Sequence, residues 1–359
     1  MPQVRKSFLI LLLIATCLSL PGLSYGQNTN VSTGFIFDGE PYLAINPGNP
    51  QHLVVAWMSY INAVELYKIK TRASFDGGQT WGTVAELPHT VTGYSSADPS
   101  LAFNNVGDVF ACYIDFTGTN PLVTGGVYLC KSTNGGNTWE PPTEVINTNF
   151  DGTKWPIDRP WLQIDQSVTA SQGTIYVTTF NLNRNNPSYR PYLSVSNDNG
   201  TTFSTTYVDS MGYLAGSLNP LPMCTHTIAS DGTWYGAYPS FMISQSPFLE
   251  VYLASSGNGG NSIQYQDLHT NTDTTSLANY SLAKKGALLL SDPADPDHLA
   301  YIFLRAIHGD LDVFFKESRA GGTNWSITVR LNDDLIGNDP QQDLIWGDFE
   351  QDGDSVIGW

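Results

Sequence analysis

The eight-residue run Ser74-Phe75-Asp76-Gly77-Gly78-Gln79-Thr80-Trp81 returns as Ser132-Thr133-Asn134-Gly135-Gly136-Asn137-Thr138-Trp139, and again as Ser196-Asn197-Asp198-Asn199-Gly200-Thr201-Thr202-Phe203. Fainter copies stand at residues 255–262, which keep the glycines and an asparagine, and at 318–325, which keep Gly-Gly and the closing Trp325. The copies recur roughly every 60 residues, and regular spacing of that size requires a repeat architecture. The motif has the chemistry of a stitched turn. Its Asp or Asn side chain accepts bonds from nearby backbone N–H groups, and its glycines supply positive φ. The closing aromatic then packs back between sheets, a burial of about 1.5–3 kcal/mol.

A second repeat lies between the turns. Glu40-Pro41-Tyr42-Leu43-Ala44-Ile45 matches Asp98-Pro99-Ser100-Leu101-Ala102-Phe103 and Arg159-Pro160-Trp161-Leu162-Gln163-Ile164. Each is followed by a turn and another apolar run. One such turn repeats in detail, residues 46–53 against 292–299. Each unit therefore predicts two inner strands, an outer strand, the stitched turn and a last strand. With no credible helix between units, the fold class is all-β: a six-bladed β-propeller of four-stranded antiparallel blades. First strands fall near residues 42, 100, 161, 226, 288 and 344, and the last blade is incomplete. Residues 30–37 are expected to close the ring as an outermost strand.

Ahead of the repeats, Arg5 and Lys6 precede an apolar run over residues 8–20, then Pro21-Gly22 and the small residues Ser24 and Gly26. This is the pattern of an export signal over residues 1–26, too short for a comfortable membrane span. A lipid anchor at Cys17 is the competing reading. Residues 27–359 then form a single propeller domain, secreted or periplasmic or held at the cell surface, with no transmembrane segment and as a monomer. The formal charge of -17 becomes about -19 once the two basic leader residues are gone, and nucleic acid is excluded as a partner because phosphate binding needs clustered Lys and Arg. Cys112 and Cys130 lie on the two arms of an expected hairpin. Export permits a disulfide there, and two buried thiols are the alternative.

In these turns and inner strands the chain resembles the sialidase superfamily of Asp-box propellers, and the resemblance spans everything after the leader. It implies a glycan or glycoconjugate as partner, with sialidase-type exo-glycosidase activity as one outcome. A non-catalytic glycan- or protein-binding scaffold or adhesin is the other, because one fold hosts many functions. Sialidases carry Arg-Ile-Pro at the first inner strand, whereas Glu40-Pro41 stands here with no arginine. The resemblance also implies an Asp as acid/base and a Tyr paired with a Glu as nucleophile.

Propeller geometry gathers the loops before each first strand and after each second strand on one face. The candidates there are Asp98, Asp158 and Asp115 as catalytic carboxylates, with Arg159, Arg305, Glu40, Tyr60 and His226 as substrate-binding groups. Lys285, Asp343, Arg184 and His308 share that face. Arg159 and Arg305 would hold an anionic sugar, while Trp155, Trp161 and Trp234 offer stacking surfaces. Plainer roles compete: Glu40, Asp98 and Arg159 suit a salt-bridged ring, and His226 suits a packed core histidine. No cofactor is expected. The run Asp348, Glu350, Asp352 before Gly353 resembles a calcium loop that lacks a closing acid, and a plain acidic turn is its alternative.

Overall fold

The computed structural model describes residues 29–34, 37–62, 66–118, 124–181, 191–209, 224–240, 250–270, 286–337, 340–350 and 353–358. The export signal expected over residues 1–26 lies outside them. The chain divides into a leading unit, Met1–Thr33, and a second unit, Gly34–Trp359. In the first, Thr33 N–H closes a turn on Asn30 Oδ1 at 3.0 Å. The described part of the expected closing strand, residues 30–34 and 37, is bend and coil rather than strand.

The second unit is a series of antiparallel sheets. The first holds β1 (Asp38–Asn46), β2 (Asn49–Tyr60), β3 (Tyr67–Ser74) and β4 (Ala85–Glu86). The second holds β5 (Ser95–Phe103), β6 (Val109–Thr117), β7 (Thr124–Ser132) and β8 (Thr143–Asn147). The third holds β9 (Asp158–Ile164), β10 (Ile175–Phe180), β11 (Pro191–Ser196) and β12 (Ser204–Tyr207). The fourth holds β13 (Thr225–Ile228), β14 (Trp234–Ser240), β15 (Glu250–Ser256) and β16 (Gln264–Thr270). The fifth holds β17 (Ala287–Ser291), β18 (His298–Arg305), β19 (Asp312–Arg319) and β20 (Val329–Arg330). A two-stranded sheet of β21 (Trp346–Phe349) and β22 (Ser355–Gly358) follows. Each is a simple meander, and successive first strands pack beside one another from β1 to β21. This is the expected propeller. Among the described residues no helix is long and apolar enough to cross a membrane.

The stitched turns work by side-chain capping. Gly78 N–H donates to Ser74 Oγ at 2.9 Å, and Thr80 N–H to Asp76 Oδ1 at 2.8 Å. The same two bonds recur at Ser132 and Asn134, and at Ser196 and Asp198. Bonds from the Thr202 hydroxyl and amide hold the Asp198 carboxyl down to about 2, so this acid is committed to its turn. The fourth copy spans 256–263 rather than the expected 255–262. Ser256 and Asn258 carry its two bonds, from Gly260 and Ser262. In the fifth, Ala320 replaces the acid and only the Gly322-to-Ser318 bond survives, at 3.0 Å. The closing aromatic does reach the neighbouring sheet, since Trp139 Nε1 donates to Thr71 at 2.9 Å.

The sheets bury alternate faces against each other. Ala44, Val54, Ala56 and Ile69 of the first meet Leu101, Val109 and Cys130 of the second. Phe110, Cys112 and Leu129 meet Leu162, Ile175 and Val177 of the third. The cysteine question is resolved by register. Cys112 pairs with Leu129 and Cys130 with Ala111, so the two thiols sit one residue out of step and face opposite sides of the hairpin. Both are free and buried. Burial pushes the Cys130 thiol up to about 12.

Candidate functional site on the converging face

Glu40, Asp98 and Arg159 each have a positive φ, at 54°, 55° and 51°, and each precedes a proline. At all three the ladder register slips, so X-Pro forms a bulge opposite one residue of the second strand. Proline suits that place because a bulged residue gives no ladder N–H. The strain recurs at Leu344, φ 57°, just before β21. Backbone strain thus recurs at equivalent points of several sheets, on one face. The Asp98 N–H donates to Glu40 Oε2 at 3.3 Å, joining the first two sheets at the rim.

Two residues beyond each strained position, a side chain turns toward the axis. Tyr42 and Trp161 meet edge to face at 5.5 Å, Tyr42 and Trp346 at 5.8 Å, and the two indoles at 6.1 Å. Ser100 takes the same position in the second sheet. It accepts from the Leu162 N–H at 3.0 Å and is hydrogen-bonded to the Tyr42 hydroxyl. Burial pushes that phenol up to about 12, so it stays protonated at any working pH. The result is a rim of two carboxylates and a guanidinium on strained backbone and, two residues further along, an aromatic floor in which Trp346 is the most exposed ring, at 44%. Tyr42 and Trp346 were not singled out from the sequence, although their alignment with Trp161 in the repeat carried the signal.

The other candidates are placed elsewhere. Asp115, at the end of β6, is wholly buried. It accepts from Thr90 N–H and Thr90 Oγ1, both at 2.7 Å, from Ser96 Oγ at 2.9 Å, and faces His89 Nδ1 at 2.8 Å. Asp115 thus anchors the loop between β4 and β5. No pattern in the sequence marked His89 as its partner. Asp158 is buried at the head of β9, and Tyr60 packs edge to face on Tyr67 at 6.0 Å. Arg305 is buried on the Phe303 ring at 5.5 Å, within electrostatic reach of His269 on β16. It sits in the wedge between the fourth and fifth sheets. Trp155 packs against the core between the second and third sheets, and Trp234 is fully buried. Asp343 bonds the Leu344 N–H at 2.7 Å, and His308 lies 6.3 Å from Phe314. Asp348 caps Phe349 at 2.8 Å and Glu350 N–H closes the β21–β22 turn on Asp354, a hairpin geometry. Lys285, Arg184 and Asp352 lie outside the described residues.

His226 is fully buried beside Trp234, with Nδ1 2.9 Å from Thr178 Oγ1. Burial pushes its imidazole down to about 3. An unfolded histidine binds its proton near pH 6.5, so between there and about 3 the unfolded chain holds a proton that the folded one refuses. Stability is therefore full above the unfolded value and falls as pH drops through this window. Going from neutral pH to about pH 4.5, His226→Gln should escape about 2–3 kcal/mol of the wild-type loss. Urea midpoints at the two pH values check this. Parallel losses in both proteins would mean that His226 takes up its proton when folded.

No protein-family model matches the chain, and no curated protein matches it. Solved structures do. A leech intramolecular trans-sialidase complexed with 2,7-anhydro-Neu5Ac aligns at 12% identity over 93% of this chain and 67% of that one, with a TM-score of 0.56. The likeness is one of fold. A Penicillium chrysogenum α-L-arabinanase complexed with arabinobiose aligns at 16% identity over 79% of each chain, TM-score 0.52. A protein of unknown function from Dyadobacter fermentans aligns at 15% identity over 88% of this chain and 92% of that one, TM-score 0.53. These neighbours support a β-propeller fold, at identities where fold persists and site chemistry need not.

Proposed function

We propose that this chain is an exported propeller that acts on glycans at its axis, as a glycoside hydrolase. The observation that carries the reading is the rim of Glu40, Asp98 and Arg159 on strained backbone, with the Tyr42, Trp161 and Trp346 ring cluster two residues further along. Glycoside hydrolysis needs two carboxylates flanking the bond. Glu40 and Asp98 stand on neighbouring sheets and supply them, with Asp98 as acid/base. Arg159 offers a bidentate donor for a charged or hydroxyl-rich sugar. The aromatic floor gives the ring an apolar face to lie on. The trans-sialidase and arabinanase neighbours act on or hold sugars with this fold, which supports the choice of substrate class. The leader sequence supports export to the periplasm or beyond. Arg305 is buried in the wedge between sheets, which favours a sugar held by one arginine over a three-arginine sialic acid clamp.

The test is release of a fluorescent aglycone from a panel of sialosides, arabinosides and neutral glycosides. Turnover is expected on at least one, with Asp98→Asn and Arg159→Ala each losing roughly 100-fold in kcat/KM while remaining folded. A folded protein that turns over nothing but binds a glycan array, and loses that binding in Trp346→Ala, is the non-catalytic scaffold instead. No turnover and no glycan binding would remove the glycan reading altogether.

A further inference from the structure

The fifth sheet carries buried carboxylate oxygens without hydrogen-bond partners, which the rim does not use. Asp310 and Asp312 stand two residues apart where the β18–β19 loop runs into β19, with buried Leu311 between them. Asp310 is only 1% exposed and Asp312 is fully buried. Asp312 Oδ1 is well served, by Arg330 Nε and Nη2, both at 2.7 Å, and by Asn332 Nδ2 at 2.7 Å. Its Oδ2 has no hydrogen-bond partner among the described residues, nor has either oxygen of Asp310.

Three orphaned carboxylate oxygens thus lie in one buried patch. Arg330 is one cation there, and its second bond goes to Asp334 Oδ1 at 2.9 Å. Arg330 feels the field of Asp310 as well as those of Asp312 and Asp334, which puts all three acids around it. Arg305 stands opposite Asp312 on β18, so three carboxylates face two guanidiniums and one acid remains in excess. A buried, unpaired carboxylate is expensive, and proteins normally answer it with a cation or a proton.

We propose that Asp310 and Asp312 hold a divalent cation of the calcium type on the side of the pair turned away from Arg330. Asp310 lies in the bend that leads into β19, two residues before Asp312, and in this site its carboxylate shares one ion with Asp312 Oδ2. The donors are all oxygen, which selects a hard cation. Among the described residues no three acidic, histidine or cysteine side chains form a ready metal cage. Calcium instead completes six to eight ligands with main-chain carbonyls and water.

The loop is pinned through the Leu311 backbone. Leu311 N–H donates to Gln341 Oε1 and Gln342 N–H to Leu311 O, both at 3.0 Å. These bonds tie the β18–β19 loop to the segment that leads into β21 and Trp346. A cation here fixes the approach to the aromatic floor. The site is separate from Asp348 and Glu350 of the β21–β22 hairpin. It does not depend on the glycan reading.

The experiment is terbium luminescence and calcium calorimetry on the full protein after chelation, with thermal unfolding in calcium and in EDTA. One site with a Kd on the order of 10⁻⁴ M is expected, together with a higher Tm in calcium. Asp310→Asn, nearly isosteric, should abolish both the terbium signal and the Tm response, and Asp348→Asn should change neither. Wild type that shows no terbium signal and no calcium response would overturn the proposal. So would a response that survives in Asp310→Asn. If wild type ignores calcium and Asp310→Asn is the more stable protein, Asp310 is a buried neutral acid and the site does not exist.

Discussion

Gly322→Ala is expected to destabilise the protein by about 2–4 kcal/mol, because a methyl group there meets two penalties together. Gly322 sits at φ +81° in the fifth turn, where an L side chain is strained. Its Cβ would also stand 2.2 Å from Leu253 Cδ2, in the core of the fourth sheet. The turn is therefore a point where one sheet is locked against its neighbour. The same arrangement holds at Gly200, where a Cβ would come 2.7 Å from Leu129. Gly78 separates the two effects. Its φ is +85°, but its nearest neighbour, Leu53 Cδ1, is 3.5 Å away, so alanine there should cost about 1–2 kcal/mol from backbone strain alone. At Gly257, with ordinary φ and open space, alanine should be almost neutral. Denaturant midpoints for the three variants settle the ordering. Equal losses at Gly322 and Gly78 would show that the sheets yield at the turn and that packing there is loose.

Asp115→Ala should cost about 3–5 kcal/mol and free the loop between β4 and β5. The substitution strands Thr90 N–H, the Thr90 and Ser96 hydroxyls and the His89 imidazole in a buried place, having removed their shared acceptor. Asp115→Asn keeps two polar atoms and should lose less. Proteolysis within residues 87–94 reports the loop, and the unfolding midpoint reports the fold. The prediction also separates two roles. An anchor loses stability first and activity in proportion, whereas a catalytic acid would lose turnover with its midpoint unchanged. The second outcome would return Asp115 to the reacting centre.

Much of this molecule was legible before any coordinates. The turns could be read because their chemistry is local: Ser, Asp or Asn, and glycine meet within five residues, and the bonds at Asp76 and Asp198 are those the motif implies. The X-Pro dipeptides marked equivalent points of three sheets, and only the strand register showed each to be a bulge. Where local chemistry was degenerate, the reading slipped. Ser255-Ser256-Gly257-Asn258-Gly259-Gly260 admits two registers, and only the bonds to Ser256 and Asn258 choose between them.

What the sequence by itself determined was the period, the strand count per unit and the face on which loops converge. Those follow from spacing and from turn propensity. The tertiary structure decided which distant side chains meet. A single residue of register set Cys112 and Cys130 on opposite faces and removed their disulfide. Packing of one sheet on the next drew Arg305 into a wedge and committed Asp115 to His89, although both lie at the ends of second strands, as a site residue would. Ring closure brought Trp346 to Tyr42 and Trp161. Burial of Asp310 beside Asp312 left oxygens without partners that no motif could have announced. Turns are decided within a few residues, whereas sites are decided by pairing and packing between segments far apart in the chain, where local propensity has no say.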